Sequence, residues 1–417
     1  MKKNRVVVTG MGAVAPNGIG TEVFWNALVE GKSGIRLIQG FDAQSFPSRI
    51  AGEISNLNAD NYMNPRSSRR SARFTRFAAV AAGMAAEQAG IAKGETESSR
   101  KAVYIGSASG GMDIFENEHE KILQNSINKM SPYGASAYFP NSAATQISIA
   151  LGFTGQVITI STGCTCGLDA VGAAFEEISL GNIDIAVCGG TDGSVTPLTL
   201  GSFCAAGILS KLNDFPSEAS RPFDSLRDGG VISEGAGILV LEEERHAVSR
   251  GADIHGVLMG FSAGAQASNL FENDTEGAGF VKEMRNAMDR AQITASDVDY
   301  ICAHAPSDVI RDAAETNAIK LVFGKRAYKI PVSSIKSMIG NPLASAAPLQ
   351  LIASLMAINT GIVPPTINYR NPDPSCDLDY VPNTARRNRV RTALINSHGF
   401  GGSNASAVIG EYPGGLN

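Results

Sequence analysis

The sequence predicts an α/β protein folded from two similar halves, with largely buried sheets alternating with Ala-rich helices. Three observations carry that expectation. Short β-branched or apolar runs recur between helical stretches along the whole chain. The 417 residues exceed one ordinary core, and 43% of them are apolar, enough to bury a large one. The second half also repeats the element order of the first.

Taken in order, the strand-like runs are RVVVTG, KAVYIGSASG, QVITIST, IDIAVCGG and GILVLEE, then HGVLMGFSAG, VDYICAHA, IPVSSIKS and TALINSHGF. VYIGSASGG (103–111) runs in step with YICAHAPSD (300–308), and VITISTGCTCGLDAVGAAFEEISLG with PVSSIKSMIGNPLASAAPLQLIASLMAINTG. Each longer piece is a strand ending in small polar residues and followed by a long Ala-rich helix. Duplication explains this, with an N-terminal half over residues 1–252 and a C-terminal half over 253–417.

A net charge of -5 argues against a general nucleic-acid binder. The N-terminal apolar run is too short for a signal-peptide core, and no run of eighteen apolar residues follows, so no membrane partner and a cytoplasmic location are expected. Six cysteines without CxxC pairing point to reduced thiols rather than a disulfide frame, and no metal site is expected.

Gly10-Met-Gly12 follows a strand but Pro16-Asn17-Gly18 interrupts the helix that a dinucleotide site needs. Ser333-Ser-Ile-Lys336 matches SxxK without its companion motifs. His119 and His246 lie in charged helical stretches and read as solvated, whereas His304 and His398 lie at strand ends, where α/β sheets bind ligands. The repeat puts Cys164 and Asn341 at equivalent places, each at a helix start. There, free N–H groups and the helix dipole lower a thiol's pKa, so Cys164 is the expected nucleophile and Cys166 a packing residue. If the halves face each other, these two helix starts meet across a shared pocket.

At this point the chain resembles an elongating β-ketoacyl carrier-protein synthase of the thiolase superfamily, nearest the ketosynthase subunits of type II polyketide synthases. STGCTCGLDAVG resembles the nucleophile motif; ASRPFDSLRDG (219–229), VSSIKSMIG and VPPTINYRNPDPSCDLDYVP (363–382) resemble further hallmarks; GFGGSN (399–404) resembles the glycine-rich gate loop. The resemblance implies a thiolase-like αβαβα body and an acyltransferase performing decarboxylative Claisen condensation in fatty acid or polyketide biosynthesis. It implies acylation of Cys164, proton handling and thioester polarisation by His304, and a family lysine at Lys336 with Glu315 as its acidic partner. It also implies an oxyanion hole from the Cys164 and Phe400 N–H groups, with Phe400 as gating aromatic. No cofactor is implied beyond the phosphopantetheine of an acyl carrier protein; a homodimer, or a heterodimer with a chain-length-factor-like subunit, is.

Three departures bear on mechanism. The HGTGT-like segment is His304-Ala-Pro-Ser-Asp308, the second family histidine is Asn341, and the gate loop opens with Ser397-His398. They bear on decarboxylation more than acylation. Asn341-Pro342 also reads as a helix cap followed by a first-turn proline, leaving the amide NH2 free to donate. A thiolase running towards cleavage lacks its second cysteine here, and a silent partner subunit would lack Cys164. A non-extending acyltransferase using Cys164 and His304 is the rival. RSSRRSARFTRF (66–77) carries Arg66, Arg69, Arg70, Arg73 and Arg76, with Arg69 and Arg73 at helical i, i+4 spacing, and is the expected dock for an acidic carrier protein. Ser109 is small where the family sets tunnel depth, or simply packs a tight turn.

Overall fold

The computed structural model describes residues 3–91, 100–267 and 274–414. Ten strands of one continuous eleven-stranded sheet form two five-stranded halves, each a sheet of the same plan. In the first half they are β1 (Val6–Ala15), β2 (Lys101–Gly106), β3 (Val157–Ile160), β4 (Ile185–Asp192) and β5 (Gly235–Glu243). In the second they are β6 (Gly256–Ala265), β7 (Tyr300–Cys302), β8 (Val332–Ser333), β9 (Thr392–Gly399) and β10 (Ser403–Gly410).

The first sheet runs β3-β2-β4-β5-β1 and the second β8-β7-β9-β10-β6. In each, the three strands at the far edge are parallel and the last two pairings antiparallel. The duplication read from sequence is therefore present in topology and strand direction. Antiparallel pairing of Val6–Val8 with Gly256–Leu258 joins the two sheets.

Five helices place the site: α1 (Arg73–Gln88), α2 (Cys166–Ser179), α3 (Ala278–Ala291), α4 (Val309–Phe323) and α5 (Ala346–Thr360). Helix α1 covers the outer face of the first sheet; α3, with α4 beside it, covers the second. Helices α2 and α5 each touch both sheets and each other, so they form the middle of five layers. That position explains their composition. A helix buried all round has no polar stripe to show, and in AAPLQLIASLMAINT even Gln350 and Ser354 are fully buried. The helical run Leu343–Thr360 is long and apolar enough to cross a membrane, but 83% of it is buried inside the protein.

The Gly10-Met-Gly12 segment has a packing purpose. A Cβ on Gly12 would stand 1.9 Å from the Ala81 carbonyl oxygen, so α1 can seat on β1 only over bare glycine.

Candidate active site

Strand β3 runs into α2 through Ser161–Thr165. Gly163 takes φ 74°, a left-handed turn that suits glycine, and sets Cys164 two residues ahead of the helix. In the other half Asn341 stands two residues ahead of the helical run beginning at Leu343. The expected equivalence thus holds, and both residues line one small cavity of about 50 Å³, with His304, His398, Phe400, Asp308 and Arg311 among its walls.

The cap reading of Asn341 does not hold. Pro342 occupies the cap position without a side-chain bond, and the Asn341 Oδ1 is buried with no hydrogen-bond partner among the described residues. The backbone is fixed differently: the Asn341 N–H donates to Val231 O at 2.7 Å and its carbonyl accepts from Ser233 N–H at 3.1 Å. The side-chain oxygen consequently holds no neighbour in place among the described residues.

The thiolate expectation is also corrected. Burial, reinforced by the Asp192 carboxylate, pushes the Cys164 thiol up to about 11, against the pull of Lys336, Arg311 and its own N–H. The helix start is present, but the packing of both halves around it outweighs the dipole. Cys164 therefore rests as a thiol, and an attack from it would require a proton acceptor. Cys166 is fully buried, and burial pushes its thiol well above the ordinary thiol range, as a packing residue should be.

His304 follows β7, its backbone N–H donating to Glu315 Oε1 at 2.9 Å and that of Ala305 to Oε2 at 2.8 Å. Asn396 Nδ2 donates to the same carboxylate at 2.9 Å, so Glu315 braces the turn. The imidazole Nδ1 accepts from the His398 backbone N–H at 3.2 Å. That bond settles its tautomer: neutral His304 carries its proton on Nε2 and offers a donor. Burial first, then Lys336, His398 and Arg311, holds the ring well below the ordinary histidine range, so it stays neutral.

Lys336 and Glu315 stand behind the cavity wall. Lys336 Nζ donates to Gln350 Oε1 at 3.1 Å, and Gln350 Nε2 donates to the carbonyls of Cys302, Ala303 and Asn396. Among the described residues no direct bond joins Lys336 to Glu315; the expected partnership is a field, each group favouring the other's charge. Burial brings the Lys336 ammonium down to about 8.

The gate loop closes the cavity. Phe400 is 44% exposed, meets Phe203 edge-on with centroids 5.7 Å apart, and lies under the Arg311 guanidinium at 5.3 Å. No backbone carbonyl accepts from the Phe400 N–H among the described residues, and a Cβ on neighbouring Gly399 would lie 3.1 Å from the Cys164 nitrogen. The end of β9 thus packs against the Cys164 amide, with the Phe400 amide next along the chain. Asp308 caps α4, accepting from Ile310 and Arg311 N–H, and pairs with the Arg311 guanidinium at 2.9 Å. The ASRPFDSLRDG segment braces this loop through buried Arg227, which bonds Asp373 at 2.6 Å and the Asp308 and Val309 carbonyls.

Several residues escaped sequence reading. Arg311 sits three positions after Asp308 in an ordinary helical stretch. Asp192 is fully buried and accepts from the amides of Ala108, Ser109 and Ala344 and the hydroxyls of Ser107 and Ser109. Ser109 is therefore turned onto Asp192, the tight-turn alternative. The basic segment is only partly available. Arg66, Arg69 and Arg70 are exposed, Arg70 stacking on Tyr133 at 4.0 Å, but Arg73 pairs with fully buried Glu234. Arg69 closes a short helix, Pro65–Ser68, and Arg73 opens α1, so they share no helix face.

A cavity to which one half brings a cysteine and the repeat brings a histidine and an asparagine, set at the ends of two middle-layer helices, is that of a thiolase-like acyltransferase. The model for the N-terminal domain of β-ketoacyl synthases matches residues 3–247, and that for the C-terminal domain matches 255–370. The chain belongs to the β-ketoacyl synthase family. It is 41% identical over 409 residues to a 3-oxoacyl-[acyl-carrier-protein] synthase 2 of Coxiella burnetii, covering 98% of this chain and 99% of that one. It is 40% identical over 413 residues to the tetracenomycin polyketide synthase ketoacyl synthase alpha subunit of Streptomyces glaucescens, covering 98% and 97%. Among solved structures it superposes with a TM-score of 0.91 at 36% identity on a chain of a type II polyketide synthase acyl-carrier protein in complex with its ketosynthase, covering 98% of this chain and 100% of that one.

Proposed function

We propose that the chain loads an acyl group from an acyl carrier protein onto Cys164 and condenses it with the enolate left when a malonyl carrier protein loses CO2. The observation that carries this reading is the pair of neutral donors, His304 Nε2–H and the Asn341 amide, on the wall of the cavity that holds the thiol. An enolate concentrates negative charge on the thioester oxygen, and preorganised neutral donors stabilise that charge without first having to lose their own. An Asn amide N–H donates as an imidazole N–H does. In loading, the Cys164 and Phe400 N–H groups serve the tetrahedral oxyanion. Lys336 and Glu315 act as positioning residues, through the field and through the turn that carries His304.

Both substrates arrive on the phosphopantetheine arm of an acyl carrier protein, and no metal takes part. Exposed Arg66, Arg69 and Arg70 support docking of that acidic partner. A dimer with a second chain of the same fold, either a copy or a chain-length-factor-like subunit, is supported by edge strand β3. It leaves Val157 and Ile158 about two-fifths exposed, with Phe115, Leu123 and Ile127 also exposed. A cytoplasmic location accords with six free cysteines.

The test is incubation with acyl and malonyl carrier proteins. An acyl mass on Cys164, CO2 release and a chain longer by two carbons are expected. Loading with no CO2 from any malonyl carrier protein would transfer the reading to a non-extending acyltransferase.

A further inference from the structure

The cavity lacks an evident proton acceptor. Cys164 rests as a thiol, and His304 has its Nδ1 engaged by a backbone N–H and its proton on Nε2. Asn341 cannot accept and hold a proton. Asp308 lines the cavity, but its Oδ1 accepts two helix amides and its Oδ2 the Arg311 guanidinium. Lys336 and Glu315 do not line it.

His398 remains, and its surroundings fix the opposite tautomer from that of His304. Its ring Nδ1 lies 3.0 Å from Asn404 Oδ1. The orientation of that amide is set independently, because Asn404 Nδ2 donates to Gly402 O at 3.0 Å. Oδ1 is therefore the acceptor, His398 Nδ1 carries the proton, and Nε2 is left with a bare lone pair. No protein group donates to that Nε2 among the described residues, while the ring lines the cavity and stands edge-on to His304 at 5.8 Å.

We propose that His398 is the proton acceptor of this pocket, replacing from the gate loop the histidine that position 341 lacks. The proposal rests on the acyl-transfer reading above. As Cys164 Sγ bonds to the acyl carbonyl carbon, the Sγ–H proton passes to His398 Nε2. The oxyanion then collapses, the bond from that carbon to the carrier's sulfur breaks, and the departing thiolate takes the proton back from Nε2. His304 and Asn341 remain donors throughout, so the three groups divide work that two histidines would otherwise share.

The charges facing His398 come from several elements. Burial, then Arg311 on α4, lowers the imidazole's proton affinity; the Asn404 bond, Asp274 ahead of α3 and Asp308 raise it; His304 stands beside it on β7's end. The net direction is down, so His398 is neutral at pH 7 and able to accept.

The test is the rate of Cys164 acylation by a p-nitrophenyl ester against pH, which needs no carrier protein, so its failure is separate from failure of the condensation reading. Wild type should hold a nearly level rate about neutral pH, falling only below about 6.5, the ordinary histidine value, and climbing again as the thiol ionises at high pH. His398→Phe, checked for an unchanged melting curve, should lose about 10²-fold at pH 7 and rise steadily towards high pH as the bare thiol ionises. Asn404→Asp places a carboxylate on Nδ1–H and should move the low-pH limb upward by about one unit. A wild-type rate that climbs about tenfold per unit from pH 6 through pH 8, the slope of an unassisted thiol, overturns the proposal without any variant, as does a His398→Phe profile that keeps the level stretch.

Discussion

Replacing Asn341 with Ala should separate chemistry from stability. The side chain makes no hydrogen bond through Oδ1, while the Asn341 backbone is held by Val231 and Ser233. Truncation to Ala keeps those two bonds and removes a buried oxygen that has no partner. Unfolding free energy should therefore stay within about 1 kcal/mol of wild type, since the relief of an unsatisfied acceptor offsets the lost packing. Chemistry should respond differently. Losing one donor to a developing oxyanion costs about 2.7–4 kcal/mol, which at 1.36 kcal/mol per decade is about 10²- to 10³-fold in rate. The assay is labelled CO2 release from malonyl carrier protein by enzyme already acylated on Cys164, beside single-turnover loading and a urea titration. Loading should change less than threefold and the urea midpoint little. CO2 release within threefold of wild type would falsify the donor role; a large loss of stability would show that the amide does hold the fold. Asn341→His should remain active, because no cap is lost.

Three further outcomes follow from the same geometry. Cys164→Ala should abolish acyl-enzyme formation by intact mass, whereas Cys166→Ala should load normally and cost about 1 kcal/mol of stability in denaturant titration. Charge reversal at Arg69 and Arg70 should weaken carrier-protein binding and flatten its salt dependence, with stability within about 1 kcal/mol; Arg73→Ala should instead destabilise by about 2–3 kcal/mol, because Glu234 is left buried and unpaired. For Lys336 the folded value is about 8 against about 10.4 unfolded, so between those values the unfolded chain binds more protons and this group makes stability rise with pH. Lys336→Met should remove that rise from urea midpoints measured between pH 8 and pH 10; an unchanged slope would assign it to other groups.

Much of the plan was legible because strand and helix periodicity, and the repeat, are local patterns. The two sheets with matched order follow from those runs, and Cys164, His304, Asn341, His398 and Phe400 all reach one cavity because each sits at an element's end, where the repeat brings ends together. What misled was chemistry decided by distant partners. The helix start ahead of α2 signals a low thiol pKa, but nothing near Cys164 in sequence announces Asp192 or the packing of the second half. Arg73 belongs to a basic run by composition and to Glu234 by structure, across 161 positions. Pro342 suits a first helical turn equally well as the position it takes, one residue earlier. Asp192, Gln350 and Arg311 are isolated polar letters whose meaning lies in acceptors and donors contributed by other elements.

The two cavity histidines owe their complementary tautomers to different kinds of neighbour, and this makes them separable. His304 is set by a main-chain donor, the N–H of residue 398, which survives any side-chain change there except to proline. His398 is set by a side chain, Asn404, directly across the β9–β10 pairing. A phenylalanine at 398 thus removes the acceptor and leaves the His304 donor oriented as before, so an effect on proton transfer cannot arise through His304 losing its tautomer. The same connection ties chemistry to the gate. Gly399 alone separates the acceptor ring from Phe400, and the backbone that orients His304 is the end of the strand carrying both. The turn that walls the cavity therefore also carries the groups that decide where the protons sit.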